Sequence, residues 1–267
     1  MRSILLAIQL LTIIPVRLGG DVIEKDVARC TGFFPVVGAL QGILLLVAFA
    51  GLNMIFPGDI ISVFIIALAI LTNGGFHLDG LADTFDAIAV KSSGDRRKDI
   101  EKRLAVMKDS TTGAIGVVAV VTVILLKFVL LKNIILAALP ATAMSIIFLM
   151  PVFSKWTMVP AICHGKSART DGLGRILIDD CSFRQATVAG VLVLLFFVLA
   201  LTSAGHSGLH VVLFLCLSAA GYLLALATVA FCSARFGGLT GDTLGALSEL
   251  SEILYLTGSF IWLQHST

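Results

Sequence analysis

The sequence predicts an all-α fold: a polytopic integral membrane helix bundle with about seven transmembrane helices and a short N-terminal interfacial or re-entrant helix. Three observations predict it. Of the 267 residues, 58% are hydrophobic and only 13% are charged, and the mean hydropathy is +1.02. Soluble domains carry about 25% charged residues. Runs such as 188–201 and 211–231 offer almost nothing polar to water. We therefore expect one transmembrane domain over 1–267, with lipid as its surroundings.

Crossing the hydrocarbon core takes about 20 residues. Residues 1–20 have the basic start and apolar centre of a signal peptide but no A-x-A-like cleavage site, so they predict a retained helix kinked at Pro15. The second span is short, and we expect its end to lie below the membrane surface. Tight turns are predicted at 57–59, 132–133 and 204–209. The predicted spans are 33–56, 60–75, 113–131, 134–153, 185–203, 210–232 and 244–263.

The other four connections are rich in basic residues. The segments 19–32, 76–112, 154–184 and 233–243 together contain 15 of the 19 Lys and Arg residues. If the spans alternate, all four lie on one side, and the positive-inside rule makes that side cytoplasmic. We expect a multi-pass protein of the cytoplasmic (inner) membrane with its active site facing the cytoplasm. Nothing indicates a nucleic-acid partner, and a homo-oligomer is left open.

The cysteines show the pattern of neither a disulfide framework nor a metal site. Five are present, an odd number, scattered and without a CxxC pair. The pattern argues against a disulfide framework and against a zinc site, and predicts buried thiols.

An acidic segment follows the second span. Asp79, Asp83 and Asp86 stand at i, i+4 and i+7, within about 40° of one another on a helix. Three such like charges repel, and Mg²⁺ typically takes one or two carboxylates plus substrate phosphates. The pattern predicts a magnesium site, with Gly74, Gly75 and Gly80 allowing close backbone approach. The alternative is a solvated helix end. His77 could bind metal or shuttle protons, or it could only hydrogen-bond at the interface.

Two basic segments could meet phosphate. Residues 95–108 predict a charged amphipathic helix, for which lipid contact is the plainer interpretation. Lys108 is the last residue of this segment and Asp109 follows it, and Asp109 could cap the next span or face the metal. Residues 163–175, CHGKSARTDGLGR, lack the glycine and strand that a P-loop needs. They still offer arginines suited to phosphate oxygens, unless this is an ordinary cytoplasmic loop. The candidate substrate-binding residues are His77, Lys108, Lys166, Arg169 and Arg175.

A second acidic segment opens the last span. Asp242 and Glu249 are seven residues apart, on one helical face, and an acid within a span is a functional hypothesis by default. Asp242 could instead be the N-cap of that helix. The layout predicts metal-assisted transfer of a phosphoryl-linked group to a hydroxyl. The candidate metal ligands are Asp79, Asp83, Asp86, Asp242 and Glu249. The candidates for taking the hydroxyl proton are Asp86, Asp109 and Asp242.

Five strings resemble the cobalamin-5'-phosphate synthases, or adenosylcobinamide-GDP ribazoletransferases, in the family's order. They are FFPVVGALQG (33–42), GGFHLDGLADTFDA (74–87), MKDSTTGAIGV (107–117), Arg169 to GLG (172–174), and GGLTGDTLGALSEL (237–250). The resemblance implies a membrane enzyme that uses Mg²⁺ to join adenosylcobinamide-GDP to α-ribazole or its 5'-phosphate, releasing GMP.

Two other functions remain as alternatives. One is a lipid head-group phosphotransferase of the CDP-alcohol type, whose acidic motif the sequence matches only in part, because Ala82-Asp83 lacks the expected Arg. The other is a metal ion transporter. Transporters place acids near the midplane at a repeat interface, and no repeat is visible here.

Overall fold

The computed structural model describes residues 2–17, 23–170, 172–204 and 209–266. Within these ranges the chain is helical, and the only β-type pairing is one bridge between Ser167 and Leu239. The helices are α1 Arg2–Leu11, α2 Glu24–Cys30, α3 Phe34–Leu52, α4 Gly58–Thr72, α5 Phe76–Ala89, α6 Arg96–Val106, α7 Ala114–Ala137, α8 Pro140–His164, α9 Leu173–Asp179, α10 Phe183–Ala204, α11 Leu209–Phe236 and α12 Gly241–Ser266. The predicted all-α membrane bundle is confirmed.

Five helical segments of the described chain are long and apolar enough to cross a membrane. They are Glu24–Leu52, Ala114–Ala137, Pro140–His164, Phe183–Leu201 and Val211–Phe236. A sixth crossing results if α4 and α5, which meet at 86°, are counted as one broken span. The predicted count of seven is not confirmed. The last helix has 26 residues but carries three acids, Asp242, Glu249 and Glu252, and is less apolar than the long helices of those five spans.

Two predicted boundaries are wrong. Helix α7 runs on to Ala137, so no turn lies at 132–133, and the chain turns just before Pro140. Helix α8 continues to His164 instead of ending near 153, with Pro151 and Pro160 inside it. Lys155 is therefore part of a helix and fully buried, not part of a cytoplasmic connection. The turn predicted at 204–209 falls mostly outside the described residues.

The N-terminal helix is short, as predicted. Ten residues span about 15 Å, half the hydrocarbon thickness. It ends at Leu11, so Pro15 lies beyond the helix and does not kink it. Leu6, Ala7 and Leu11 are buried against the core, which anchors α1 to the bundle.

Helix α8 is the centre of the bundle, packed against α3, α10, α11 and α12. Glycines let α3 approach it closely. A Cβ at Gly38 would lie 2.5 Å from the Pro151 carbonyl oxygen, a distance that real side chains do not tolerate. Such small-residue contacts are how membrane helices gain packing where no hydrophobic force drives them together.

The cysteine expectation was wrong in part. Cys163 and Cys181 form a disulfide with an S–S distance of 2.11 Å, because the fold returns the chain from α9 to the end of α8. Cys30 and Cys232 are buried free thiols, as expected, and Cys216 is exposed.

Candidate active site

A glycine turn sets the direction of the acidic helix α5. Gly74 and Gly75 have φ of 65° and 75°, the left-handed region that only glycine enters freely. The Asn73 side chain accepts a hydrogen bond from the Gly75 N–H at 2.9 Å, which fixes the turn. These glycines therefore serve the sharp bend between α4 and α5, not the approach of a ligand as predicted.

Helix α5 meets the first turn of α12 at Gly80. A Cβ there would lie 2.7 Å from the Asp242 carbonyl oxygen and 2.8 Å from its Cα. This contact brings Asp242 to the acidic face of α5, where Asp83 lies in electrostatic range of Asp79, Asp86 and Asp242. We call Asp79, Asp83, Asp86 and Asp242 the acid patch.

The N-terminus of α12 is capped without Asp242. The Thr240 N–H donates to the Thr243 hydroxyl at 2.9 Å, and the Thr243 N–H donates to the Thr240 hydroxyl at 3.2 Å. This reciprocal pair is the capping-box arrangement. The N-cap role considered for Asp242 is therefore filled by Thr240, and the Asp242 carboxylate is not needed to cap the helix.

A basic loop reaches the acid patch. The Leu239 N–H donates to the Lys166 carbonyl at 2.7 Å, and the Ala168 N–H donates to the Leu239 carbonyl at 2.8 Å. These bonds fasten residues 165–170 beside the start of α12. Arg169 then donates from Nη2 to the Asp242 carboxylate at 2.8 Å, while its buried Nε has no partner among the described residues.

The other basic candidates lie elsewhere. Arg175 pairs with Glu24 of α2 at 3.2 Å. Lys108 and Lys166 are exposed, and within the described residues neither forms an ion pair. The structure thus brings Arg169, and not Arg175, to the acid patch.

All three candidate bases already hold hydrogen bonds, and those to Asp242 both reach its Oδ2. Asp86 accepts from the N–H groups of Gly113 at 2.6 Å and Gly116 at 2.8 Å, so a carboxylate of α5 caps the start of α7. The sequence allowed Asp109 to cap α7, but in the structure it does not. The hydroxyl and N–H of Thr111 bond to it instead, and they hold the pKa of the Asp109 carboxyl below its ordinary value. A carboxyl with a lowered pKa is a weaker base.

Glu249 lies deeper, in a cluster of buried charges. Lys127 of α7 donates to Glu249 at 2.5 Å and to Glu252 at 2.6 Å, and Lys155 of α8 lies 3.7 Å from Glu252. Glu249 was predicted to be a metal ligand. In the structure it forms an ion pair with Lys127 instead. We call Lys127, Lys155, Glu249 and Glu252 the interior ion cluster.

His77 also faces the interior. Its Nδ1 lies 3.1 Å from the Ser248 hydroxyl and 3.4 Å from the Lys155 ammonium, and the residue is 5% exposed. His77 was predicted to bind substrate. In the structure its imidazole contacts Ser248 and Lys155 inside the protein. Sequence reasoning missed Lys127 and Lys155, although a lysine inside an apolar run is itself a signal of a buried partner.

Whether the acid patch can hold a metal ion depends on which of its carboxylates have no protein partner. Within the described residues no group of three His, Cys, Asp or Glu side chains is arranged to hold a metal alone. Asp79 and Asp83, by contrast, have no side-chain hydrogen bond or ion-pair partner in the described chain. Two free carboxylates match the one or two that Mg²⁺ takes when phosphates and water complete its shell.

Comparison with known proteins identifies the family. A family model described as cobalamin-5-phosphate synthase matches residues 3–260. The chain belongs to the cobalamin-5-phosphate synthase family. It is 33% identical to the adenosylcobinamide-GDP ribazoletransferase of Thermodesulfovibrio yellowstonii, over 98% of each chain. The relatives of the same name from Acetivibrio thermocellus and Geotalea daltonii are 35% and 34% identical over 96% of each chain. No solved structure matches.

Family membership makes the chain a membrane transferase of cobalamin synthesis. The two strings most specific to the resemblance, HLDGLADTFD and TGDTLGA, lie on α5 and at the start of α12. They meet at Gly80 and Asp242. The motifs therefore converge on the acid patch.

Proposed function

We propose that the chain joins adenosylcobinamide-GDP to α-ribazole or α-ribazole 5'-phosphate at the acid patch, on the cytoplasmic side of the inner membrane. A ribose hydroxyl attacks the phosphorus on the cobinamide side of the diphosphate. The new phosphodiester forms as the bond to GMP breaks, and the hydroxyl proton passes to a carboxylate. The observation that carries the proposal is the pair of unpartnered carboxylates, Asp79 and Asp83, beside Arg169.

Metal binding, phosphate binding and proton transfer are assigned to different residues. Asp79 and Asp83 would hold Mg²⁺, which supplies charge neutralisation of the donor's diphosphate. Arg169 would bind phosphate oxygens through its free Nε and remaining N–H groups while Asp242 holds the guanidinium in place. We assign Asp242 to take the proton at Oδ1, because the hydrogen bonds from Arg169 and Thr240 both reach Oδ2. Both oxygens of Asp86 accept hydrogen bonds from the start of α7, and Asp109 is not part of the acid patch.

Orientation toward the cytoplasm follows from the basic connections. The connections around the acid patch, 90–113 and 165–170, carry exposed lysines and arginines, including Lys108 and Lys166. The positive-inside rule places such loops in the cytoplasm. The charged diphosphate donor would then reach the patch without crossing lipid.

The test is GMP release by purified protein in lipid, with Mg²⁺ or with EDTA. Asp83→Asn and Asp79→Asn should each lose most activity, since Asn keeps the size of the side chain but not its charge. Both should be at least as thermally stable as the unmodified protein without metal, because one of several repelling charges is gone. They should gain less stability from added Mg²⁺, as a ligand stabilises in proportion to its binding.

Asp59→Asn is the matched control. Asp59 lies in the first turn of α4, at the end of that helix away from the acid patch, and should tolerate the change. Near-normal GMP release by both Asp79→Asn and Asp83→Asn would refute the magnesium assignment. Release of CMP from a CDP-alcohol donor, without GMP release, would point to the lipid head-group reaction instead.

A further inference from the structure

An open cavity of about 760 Å³ lies between α2, the start of α10 and the first turn of α1. Its described lining includes no residue of the acid patch. The proposed transfer reaction does not use it. Its size is within the range of sites for drug-sized ligands.

Cationic side chains dominate the cavity. Lys25, Arg29 and Arg184 line it and are exposed, and within the described residues none of them forms an ion pair. Two acids also line it. Glu24 is already paired with Arg175 at 3.2 Å, which leaves Asp180 as the remaining negative charge. Arginines from two different helices facing one space are suited to phosphate oxygens.

The cavity lies at the level of lipid headgroups. The apolar spans Glu24–Leu52 and Phe183–Leu201 both begin at its walls. Phe183, the first residue of α10, is 84% exposed, so an apolar ring is open to a lipid beside the cavity. A ligand held here would have its phosphate at the surface of the bilayer.

An apolar stripe leads from the cavity into the membrane. Val188 of α10 lines the cavity, and Val191, Leu195 and Val198 continue on the same helical face at steps of three, four and three residues. These three are 61%, 48% and 46% exposed. From 188 to 198 the helix rises about 15 Å, the depth of one leaflet's hydrocarbon. A lipid chain would fit along this stripe.

We propose that the cavity binds the headgroup of an anionic phospholipid, whose acyl chain lies along the stripe on α10. The phosphate is held by Arg29 and Arg184 from opposite walls, with Lys25 beside them. A soluble phosphate compound would contact the cations but not the apolar stripe. A zwitterionic lipid would use the stripe but bring its own cation to a cationic cavity. The combination therefore selects an anionic lipid.

The test is lipid titration of the delipidated protein in detergent, followed by native mass spectrometry. The probes are phosphatidylglycerol and phosphatidylcholine with identical chains. The unmodified protein should retain one phosphatidylglycerol in preference to phosphatidylcholine. Arg29→Gln with Arg184→Gln should weaken phosphatidylglycerol binding about 25-fold, at about fivefold for each charge near the surface. Both arginines are exposed, so the double variant should fold normally.

The control is Arg97→Gln with Lys98→Gln, which removes the same charge from exposed positions on α6. Its phosphatidylglycerol affinity should change by less than about twofold. Val191→Asn, on the stripe, should weaken both lipids without altering their order of preference. Inorganic phosphate should not displace the bound lipid.

Three outcomes would overturn the proposal. Equal retention of the two lipids would remove the headgroup preference. An equal loss in the control would show diffuse surface attraction instead of a site. Displacement of phosphatidylglycerol by inorganic phosphate would assign the cavity to a soluble phosphate ligand.

Discussion

Removing Lys127 should unbalance the interior ion cluster. The cluster formally contains two positive and two negative groups, and its four members are at most 5% exposed. Lys127→Met has similar volume but no charge. It leaves Glu249 and Glu252 buried together, with only Lys155 at 3.7 Å from Glu252 as a remaining cation.

The size of the effect follows from this burial. Lys127 contacts the two carboxylates at 2.5 and 2.6 Å, so both lose their nearest donor. Breaking a buried pair by removing one partner costs about 3–5 kcal/mol. Adding Glu249→Gln restores the balance between Lys155 and Glu252. The free energy of unfolding of the double variant should therefore exceed that of Lys127→Met by about 2 kcal/mol or more, the coupling expected between residues in contact.

The assay is equilibrium unfolding in mixed micelles, with loss of helical circular dichroism as the signal. At about 2–4 °C per kcal/mol, Lys127→Met should also lower Tm by roughly 6–20 °C. Lys132→Met is the control, since Lys132 is near the end of the same helix and only half-buried, with no ion pair in the described chain. If Lys127→Met were as stable as the double variant, the cluster would not be held by charge balance, and our reasoning would be refuted.

Three further predictions concern the surroundings of the acid patch. Gly80→Ala should cost about 1–3 kcal/mol and most GMP release, because its Cβ would meet the backbone of α12 at 2.7 Å. Gly51→Ala, with nothing within 4 Å, should leave both unchanged. The Ser92 hydroxyl, with the serine that follows it, lowers the pKa of Asp99 to about 2. Because this is below the unfolded value of about 3.9, the stabilisation is complete above about pH 4 and is lost as pH falls toward 2. Asp99→Asn should lose it at every pH, and hydrogen exchange of the 92–95 amides should rise; exchange unchanged at neutral pH would contradict this. Ser110→Cys, in a background without the exposed native thiol, should react with an impermeant maleimide in inside-out vesicles only. Labelling from outside intact cells would show that the proposed topology is wrong.

The class of fold and most of the helices follow from the sequence alone. Whether a segment can lie in lipid depends on its own side chains, since the bilayer, not a distant partner, is the solvent. The amphipathic helix predicted over 95–108 is found as α6, because its signal is local: Asp95 accepts hydrogen bonds from the N–H groups of Arg97 and Lys98. The acids of α5 were likewise predictable as one face from their spacing alone.

The partner that each charged side chain binds depends on the tertiary structure. Asp86, Asp109 and Asp242 are alike in the sequence, yet one caps α7, one bonds Thr111 and one holds Arg169. Glu249 is separated from Lys127 by 122 positions, and only the packing of α7 against α12 brings the two together. The sequence shows which residues carry charge in an apolar chain. A charge in a low-dielectric interior must find a partner, and which partner it finds depends on how the helices pack.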